Sequence, residues 1–280
     1  MPETESTQVI VGIDGSEQAE HAALWAIDEA LRRSAPLRLI YVIRTDLTGM
    51  LSASEYETAV ATAKRILRTT GERIDECGCG VRVTTTIAQG SPAGVLLAES
   101  ESTDMICVGW TGMNRIGITL MGSTATLVAT KATCPVAIVR RPVHTPAEPQ
   151  SKWIITPVDA GSRDNDSLLA EAASEARQRG WAILAVWTDS GNDKTCVDDV
   201  SRLASEWRHR CPDVHIYPVA TDHDLARFLH ASPDLGGLIM LDGDRATDVA
   251  TTIDRIGHAC TAEIAVVVAH RVPAAAVTAR

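Results

Sequence analysis

The sequence has few aromatic residues and no long hydrophobic run. Aromatics make up 4% of its 280 residues, with a single phenylalanine, whereas apolar residues together make up 45%. Valine, isoleucine, leucine and alanine must therefore fill the interior, a composition that suits parallel strands buried on both faces. Because no apolar run is long enough to cross a bilayer, we expect no membrane partner. The length corresponds to about two average domains.

The chain also lacks a net positive charge. Its formal net charge is −10 at pH 7, and it has no long basic stripe. That charge would repel a phosphate backbone, so nucleic acid is not an expected partner. Residues 1–8 are acidic and polar and lack the apolar run typical of a signal peptide. Seven cysteines, an odd number at scattered positions, are interpreted as reduced thiols. These features predict a soluble, cytoplasmic protein.

Residues that would form a catalytic centre are missing as well. The eight histidines form no constellation with an acid or a nucleophile, and no His-Glu-x-x-His motif occurs. Ser16 and Cys107 have no flanking motif and are interpreted as structural. Cys77 and Cys79 stand one residue apart without a second pair at zinc-finger spacing, which favours loop cysteines over a metal site. We therefore expect no catalytic residues and no metal ligands.

Short β-branched runs alternate with helical patterns in the first half of the chain. The first run ends in Asp14-Gly15-Ser16, which is typical of a tight turn before a helix. Helices are predicted at about residues 17–33, 54–77 and 123–130 and directly after Gly90-Ser91-Pro92. Five strands are predicted, at residues 9–13, 37–43, 81–87, 105–108 and 136–139.

The same order of elements begins again after a proline-rich stretch, residues 142–149. Asp159 follows Asp14 by 145 residues, and five more strands are predicted, at residues 154–158, 181–187, 214–220, 238–241 and 264–268. Strands separated by helices pair in parallel, so the fold class is α/β, with two tandem, doubly wound, five-stranded parallel sheets. We predict a first domain at residues 1–143, a linker at 144–151 and a second domain at 152–280.

Glycines cluster between the fourth strand and the next helix of the first half. Gly109 and Gly112 let the backbone approach a ligand closely, although turns need glycines too. Gly122-Ser123 opens a helix whose free N–H groups attract phosphate. Asp14, at the end of the first strand, could accept a hydrogen bond from a ribose hydroxyl or an adenine amino group, or it could be a helix N-cap.

The spacing of these glycines resembles that of the ATP-binding universal stress proteins. The pattern is Gly109, two residues, Gly112, nine residues and then Gly122-Ser123. Residues 11–16 resemble the opening strand and Asp-Gly-Ser turn of the family, and residues 134–139 resemble its closing Cys-Pro-Val strand. The two-copy arrangement is similar to that of its tandem members, which implies a Rossmann-like sheet of strand order 3-2-1-4-5 in each half.

The resemblance implies an adenine-nucleotide site in the first half. Asp14 would lie beside the adenosine and Val42 would contact adenine, while the glycines and Ser123 would hold ribose and phosphates. Since Arg115 is the only cation of the glycine-rich loop, AMP and cyclic AMP stay open as alternatives to ATP, and Mg²⁺ could bridge the phosphates. The predicted site residues are Gly12, Ile13, Asp14, Val42, Gly109, Gly112, Arg115, Gly122, Ser123 and Thr124.

The second half departs from this pattern. Its corresponding region, residues 241–252, is shorter, lacks the glycine spacing and carries Asp242, Asp244 and Asp248, whose charges would repel phosphate. We expect one site per chain and a nucleotide-binding regulatory stress protein, the alternatives being a slow ATPase and an interaction scaffold without ligand. The expected partners are the two halves themselves, paired through their fifth strands as a pseudo-dimer, a second copy in a homodimer, and an unidentified regulatory protein.

Overall fold

A computed structural model describes most of the chain, in two compact units. One unit extends to Arg140 and the other from Arg141 to Ala269. The described residues are 8–45, 52–111, 121–141, 152–158, 165–188, 195–232, 235–243, 249–259 and 264–269. The predicted linker at 144–151 lies outside them, and the domain bounds stay a prediction, as does the pairing of the fifth strands.

The first unit is a parallel sheet with helices between its strands. Its strand order is β3-β2-β1-β4-β5, and every neighbouring pair is parallel. The elements are β1 (Val9–Ile13), α1 (Glu17–Arg32), β2 (Leu37–Arg44), α2 (Ala53–Glu76), β3 (Val83–Gly90), α3 (Pro92–Glu99), β4 (Met105–Gly109), α4 (Ser123–Lys131) and β5 (Val136–Arg140).

The second unit repeats this architecture with order β8-β7-β6-β9-β10, again with parallel neighbours. Its elements are β6 (Lys152–Val158), α5 (Asn165–Arg179), β7 (Ala182–Thr188), α6 (Thr195–Arg210), β8 (Ile216–Thr221), α7 (Leu225–Ala231), β9 (Gly236–Asp242), α8 (Val249–Ala259) and β10 (Ile264–Ala269). The predicted fold class and the predicted strand order of each half are therefore confirmed. The third strand of each half begins two residues later than predicted, at Val83 and Ile216.

Side-chain caps fix where the helices of the first unit begin. Ser16 precedes α1 and accepts a hydrogen bond from the Ala19 backbone N–H, while Ser91 does the same for α3, where Pro92 occupies the first turn. Ser52 and Glu55 form a reciprocal capping box at the start of α2. Because each serine is itself in an extended conformation, these caps set the residues at which the helices begin.

A buried ion pair recurs in both units. The Glu29 carboxylate in α1 has no exposed surface and accepts hydrogen bonds from Arg32 and Arg33. In α5, 146 residues further on, Glu175 pairs with Arg179 at 3.0 Å. Removing one member of such a pair leaves an uncompensated buried charge, which is costly. The second copy has therefore kept a stabilising contact of the first.

Helix α1 lies directly against the end of strand β4. A Cβ atom on Gly109 would stand 2.7 Å from the backbone carbon of Gln18 and 2.8 Å from the backbone nitrogen of Ala19. Backbone atoms cannot move aside as a flexible side chain can, so any residue larger than glycine would push α1 away from the sheet. By contrast, a Cβ on Gly12 would meet a side-chain carbon of Leu96 at 3.1 Å.

We expect Gly109→Ala to lower the free energy of unfolding by about 1–3 kcal/mol, because the added methyl overpacks the α1–β4 contact. Urea denaturation without nucleotide, followed by circular dichroism, measures the change. Gly71→Ala is the matched control, since Gly71 lies within α2 with no atom within 4 Å of an added Cβ. That control should stabilise the protein by about 0.5–1 kcal/mol through helix propensity. Equal midpoints for Gly109→Ala and the unmodified protein would contradict the packing role.

Candidate functional site

A cavity of about 500 Å³ lies at the carboxyl ends of β1, β2 and β4. Its volume is within the range of small-molecule sites, and its place in the sheet is where doubly wound folds bind ligands. Gly112 and Arg115 lie outside the described residues. The other eight predicted site residues all line the cavity: Gly12, Ile13, Asp14, Val42, Gly109, Gly122, Ser123 and Thr124.

The turn between β1 and α1 presents Asp14 to the cavity. Its Oδ1 atom accepts a hydrogen bond from the Ser16 backbone N–H at 2.9 Å. Gly15 between them has a φ of +86°, a left-handed conformation that favours glycine. The N-cap of α1 is Ser16, so the alternative interpretation of Asp14 as the N-cap is wrong. The turn fixes the Asp14 carboxylate in the cavity wall.

Helix α4 begins at another part of the wall. Its N-cap is Gly122, which has no side chain and therefore cannot satisfy the free N–H groups of the first turn. The Gly122 N–H donates to the Trp110 carbonyl, and the Trp110 N–H donates to the Val139 carbonyl, both at 2.9 Å. Through Trp110, these two hydrogen bonds connect the start of α4 to β5. With Ser123 and Thr124, the site offers N–H and hydroxyl donors and a positive helix end.

The other lining residues were not predicted from the sequence. Their side chains reach the cavity because the carboxyl ends of neighbouring parallel strands, and the helices that follow them, meet at one edge of the sheet. Tyr41 and Arg44 lie on β2 near the predicted residue Val42. The pairing of β2 with β1, which places Tyr41 opposite Ile13, was the signal that could have identified this strand end. The residues missed are Ser16, Ala19, Ile40, Tyr41, Ile43, Arg44, Ala59, Pro92, Leu96, Val108, Thr111 and Ala125.

Two of these residues change the polarity of the site. Arg44, exposed at the end of β2, places a cation at the cavity. This cation was not among the predicted site residues. Burial and, after it, the Asp14 carboxylate raise the pKa of Tyr41 above its ordinary value, so the phenol stays protonated and can donate a hydrogen bond. Much of the remaining wall is aliphatic, from residues such as Ile40, Val42 and Leu96, and suits a flat apolar ring.

The polar side chains of the described wall are those of Asp14, Tyr41 and Arg44, with several serines and threonines. Neither histidine nor cysteine lines it. Within the described ranges, no three His, Cys, Asp or Glu side chains are grouped so that they could hold a metal ion. None of the helices in the same ranges is long and apolar enough to span a membrane. The described lining offers a ligand a carboxylate, hydroxyls and backbone donors.

The corresponding strand end in the second unit carries a carboxylate. The Gly243 N–H donates to the Ala269 carbonyl at 2.8 Å, as the Trp110 N–H does to Val139 in the first unit. Asp242, which precedes Gly243, therefore takes the place of Gly109. Asp159, Asp244 and Asp248 lie outside the described residues. A negative side chain has replaced the glycine at the end of the fourth strand.

Comparisons with known proteins agree with this architecture. A universal stress protein of Mycobacterium tuberculosis is 38% identical over 251 residues, covering 89% of this chain and 90% of that protein. Another from the same organism is 34% identical over 249 residues, covering 86% and 90%. The crystal structure of a universal stress protein from Archaeoglobus fulgidus covers 95% of this chain and 99% of its own with a TM-score of 0.72, a likeness of fold at 15% identity. The sequence profile described as the universal stress protein family matches residues 5–140. Since the similarity to the mycobacterial relatives runs through both repeats, the chain belongs to the universal stress protein family.

Proposed function

We propose that this chain is a regulatory stress protein that binds one adenine nucleotide in the cavity of its first unit. The observation that carries the proposal is the convergence on one cavity of a fixed carboxylate, Asp14, and an uncapped helix start, Gly122-Ser123. A carboxylate accepts hydrogen bonds from hydroxyl and amino groups, whereas a helix start binds anions. A nucleoside phosphate carries both kinds of group.

Each part of the nucleotide has matching chemistry in the wall. Asp14 accepts from ribose or from the adenine amino group, and Val42 contacts the ring beside the aliphatic wall. The phosphates lie at the start of α4, where Gly122, Ser123 and Thr124 supply donors. The backbone around Gly109 and Gly112 stays close to the ribose in this proposal.

ATP is the proposed ligand, with AMP and cyclic AMP as the alternatives. Arg44 adds a positive charge to that of Arg115, so the site carries more charge for phosphate than its glycine-rich loop alone. Magnesium would bridge phosphate oxygens and need few protein ligands. Hydrolysis would be slow at most, because the described lining offers no histidine as a general base. In this proposal Asp14 contacts the adenosine and not the phosphates, so it is not a base for the attacking water.

The second unit has a different part in the proposal. Asp242 places like charge where a phosphate-binding loop would need an uncrowded backbone. That unit would complete a pseudo-dimer with the first through the fifth strands and present a surface to a regulatory protein, with a homodimer as a further assembly. A cytoplasmic location is proposed because five described cysteines form no disulfide, as expected in a reducing compartment.

We expect Gly122→Val to weaken nucleotide binding at least about tenfold, because a branched side chain at the start of α4 would occupy the space of the phosphates. The fold should survive, since φ −67° and ψ 148° at Gly122 suit valine. Isothermal titration calorimetry with ATP measures affinity, and circular dichroism checks the fold. Gly71→Val, on the open part of α2, is the control and should bind as the unmodified protein does. Unchanged affinity in a folded Gly122→Val protein would refute the phosphate position.

We expect one nucleotide per chain and an asymmetric response to two matched substitutions. Asp14→Ala should weaken binding about tenfold to a hundredfold, the range for losing a hydrogen bond to a charged group, whereas Asp159→Ala should leave it unchanged. Calorimetric titration of nucleotide-free protein with ATP, AMP and cyclic AMP gives stoichiometry and preference. Mass spectrometry of ligand released from fresh protein identifies the species. Two equivalent sites, or a loss of affinity in Asp159→Ala alone, would contradict the proposal.

A further inference from the structure

A cysteine pair lies in the turn between α2 and β3, away from the nucleotide cavity. The sequence of the turn is Cys77-Gly78-Cys79-Gly80. Cys77 is the C-cap of α2 and is exposed, and Cys79 is half-buried. The other cysteines whose burial the structure describes, Cys107, Cys134 and Cys211, are buried. Among the cysteines whose burial is described, the two accessible thiols therefore flank a single glycine.

The single residue between the two cysteines is a glycine with a backbone conformation that other residues rarely adopt. Its φ is +62°, on the left-handed side of the φ range that favours glycine. A left-handed helical residue is the mirror image of an α-helical one, so the Cα atoms on either side of it stand about 5.4 Å apart, as helix radius and rise dictate. Disulfides span Cα separations of about 4.4–6.8 Å. A left-handed helical Gly78 is therefore a conformation in which a disulfide can bridge the two cysteines.

The turn is also open and anchored on one side only. Cβ atoms built on Gly78 or Gly80 would meet nothing within 4 Å, so oxidants have access and no packed neighbour blocks rotation of the thiols. The Cys77 N–H donates to the Ile74 carbonyl and the Gly78 N–H to that of Asp75, which holds the end of the helix. The Cys77 thiol donates to the Arg73 carbonyl at 3.5 Å, so a rotation about χ1 would turn it towards Cys79.

We propose that Cys77 and Cys79 are a redox couple that a hydroperoxide oxidises to a disulfide. The thiolate of one cysteine attacks a peroxide oxygen, the O–O bond breaks, and water or an alcohol leaves with the thiol proton. The resulting sulfenic acid is attacked by the second thiol, which forms the S–S bond and releases a second water. The peroxide has then gained two electrons and the thiols have lost them. A dithiol reductant reopens the bond by exchange.

The buried cysteines do not compete for this oxidation. The thiolate is the reactive species, and burial raises the pKa of Cys134 to about 12, which keeps that thiol protonated. Cys107 and Cys211 are likewise covered by the core. Oxidation of the described cysteines should therefore select the turn, and it is independent of nucleotide binding.

A single tryptic peptide reports the state of both thiols. Cleavage after Arg73 and Arg82 releases residues 74–82, which contain Cys77 and Cys79 and no other cysteine. The full-length protein is treated with hydrogen peroxide, alkylated with iodoacetamide, digested and analysed by mass spectrometry. We expect the peptide to lose both adducts and two hydrogens, and dithiothreitol to restore the adducts. Cys77→Ser and Cys79→Ser should each abolish that species.

Matched glycine substitutions test the geometry. Gly78→Val keeps both thiols but disfavours the left-handed conformation by roughly 1–2 kcal/mol, so ring closure should slow about tenfold. Gly80→Val is the matched control, because Gly80 has a similar φ of +72° in the same open turn but does not lie between the two cysteines. It should slow disulfide formation less than Gly78→Val does. The proposal fails if peroxide leaves both thiols open to alkylation, if they link to other cysteines instead, or if Gly78→Val closes as fast as the unmodified protein.

Discussion

The contact between helix α1 and the end of strand β4 is the constraint on which the cavity of the first unit depends. Only glycine at position 109 lets the backbone of α1 come this close to the sheet. Since α1 begins three residues after Asp14, its position also fixes the turn that presents the Asp14 carboxylate. Gly109 thus shapes the cavity through packing as well as lining it. A glycine that the sequence pattern links to the ligand is at the same time required by the fold.

The second unit has no glycine at the position that corresponds to Gly109. Asp242 stands where Gly109 does, yet the following N–H still bonds to the last strand, at 2.8 Å against 2.9 Å. The strand order and the buried glutamate–arginine pair of the first helix are also kept. These features belong to the interior of the sheet and helices, whereas the site is made by residues at strand ends. The end of the fourth strand can therefore change while the interior of the fold is kept.

The same division explains what the sequence could and could not predict. Ten apolar, strand-like runs and the caps at Ser16 and Ser91 are local signals, and they predicted the strands of both sheets, whereas the strand order followed from the family resemblance. Eight site residues followed from a resemblance that rests on spacing along the chain. Tyr41, Arg44 and Leu96 carry no such local signal, because they reach the cavity through strand register and the packing of α3. The packing role of Gly109 was likewise invisible, since it depends on a helix that is distant along the chain.

Helix α2 connects the cavity to the cysteine turn, since Ala59 lines the cavity and Cys77 caps the far end of the helix. Their separation of 18 positions corresponds to about 27 Å of helix. Closing the disulfide would change the turn around Gly78, where an added Cβ would meet nothing within 4 Å, so we expect the backbone of α2 to stay in place. A surface contact between Arg73 and Glu20 at 3.0 Å also joins the last part of α2 to α1. If the proposed oxidation occurs, it should therefore leave the cavity unchanged.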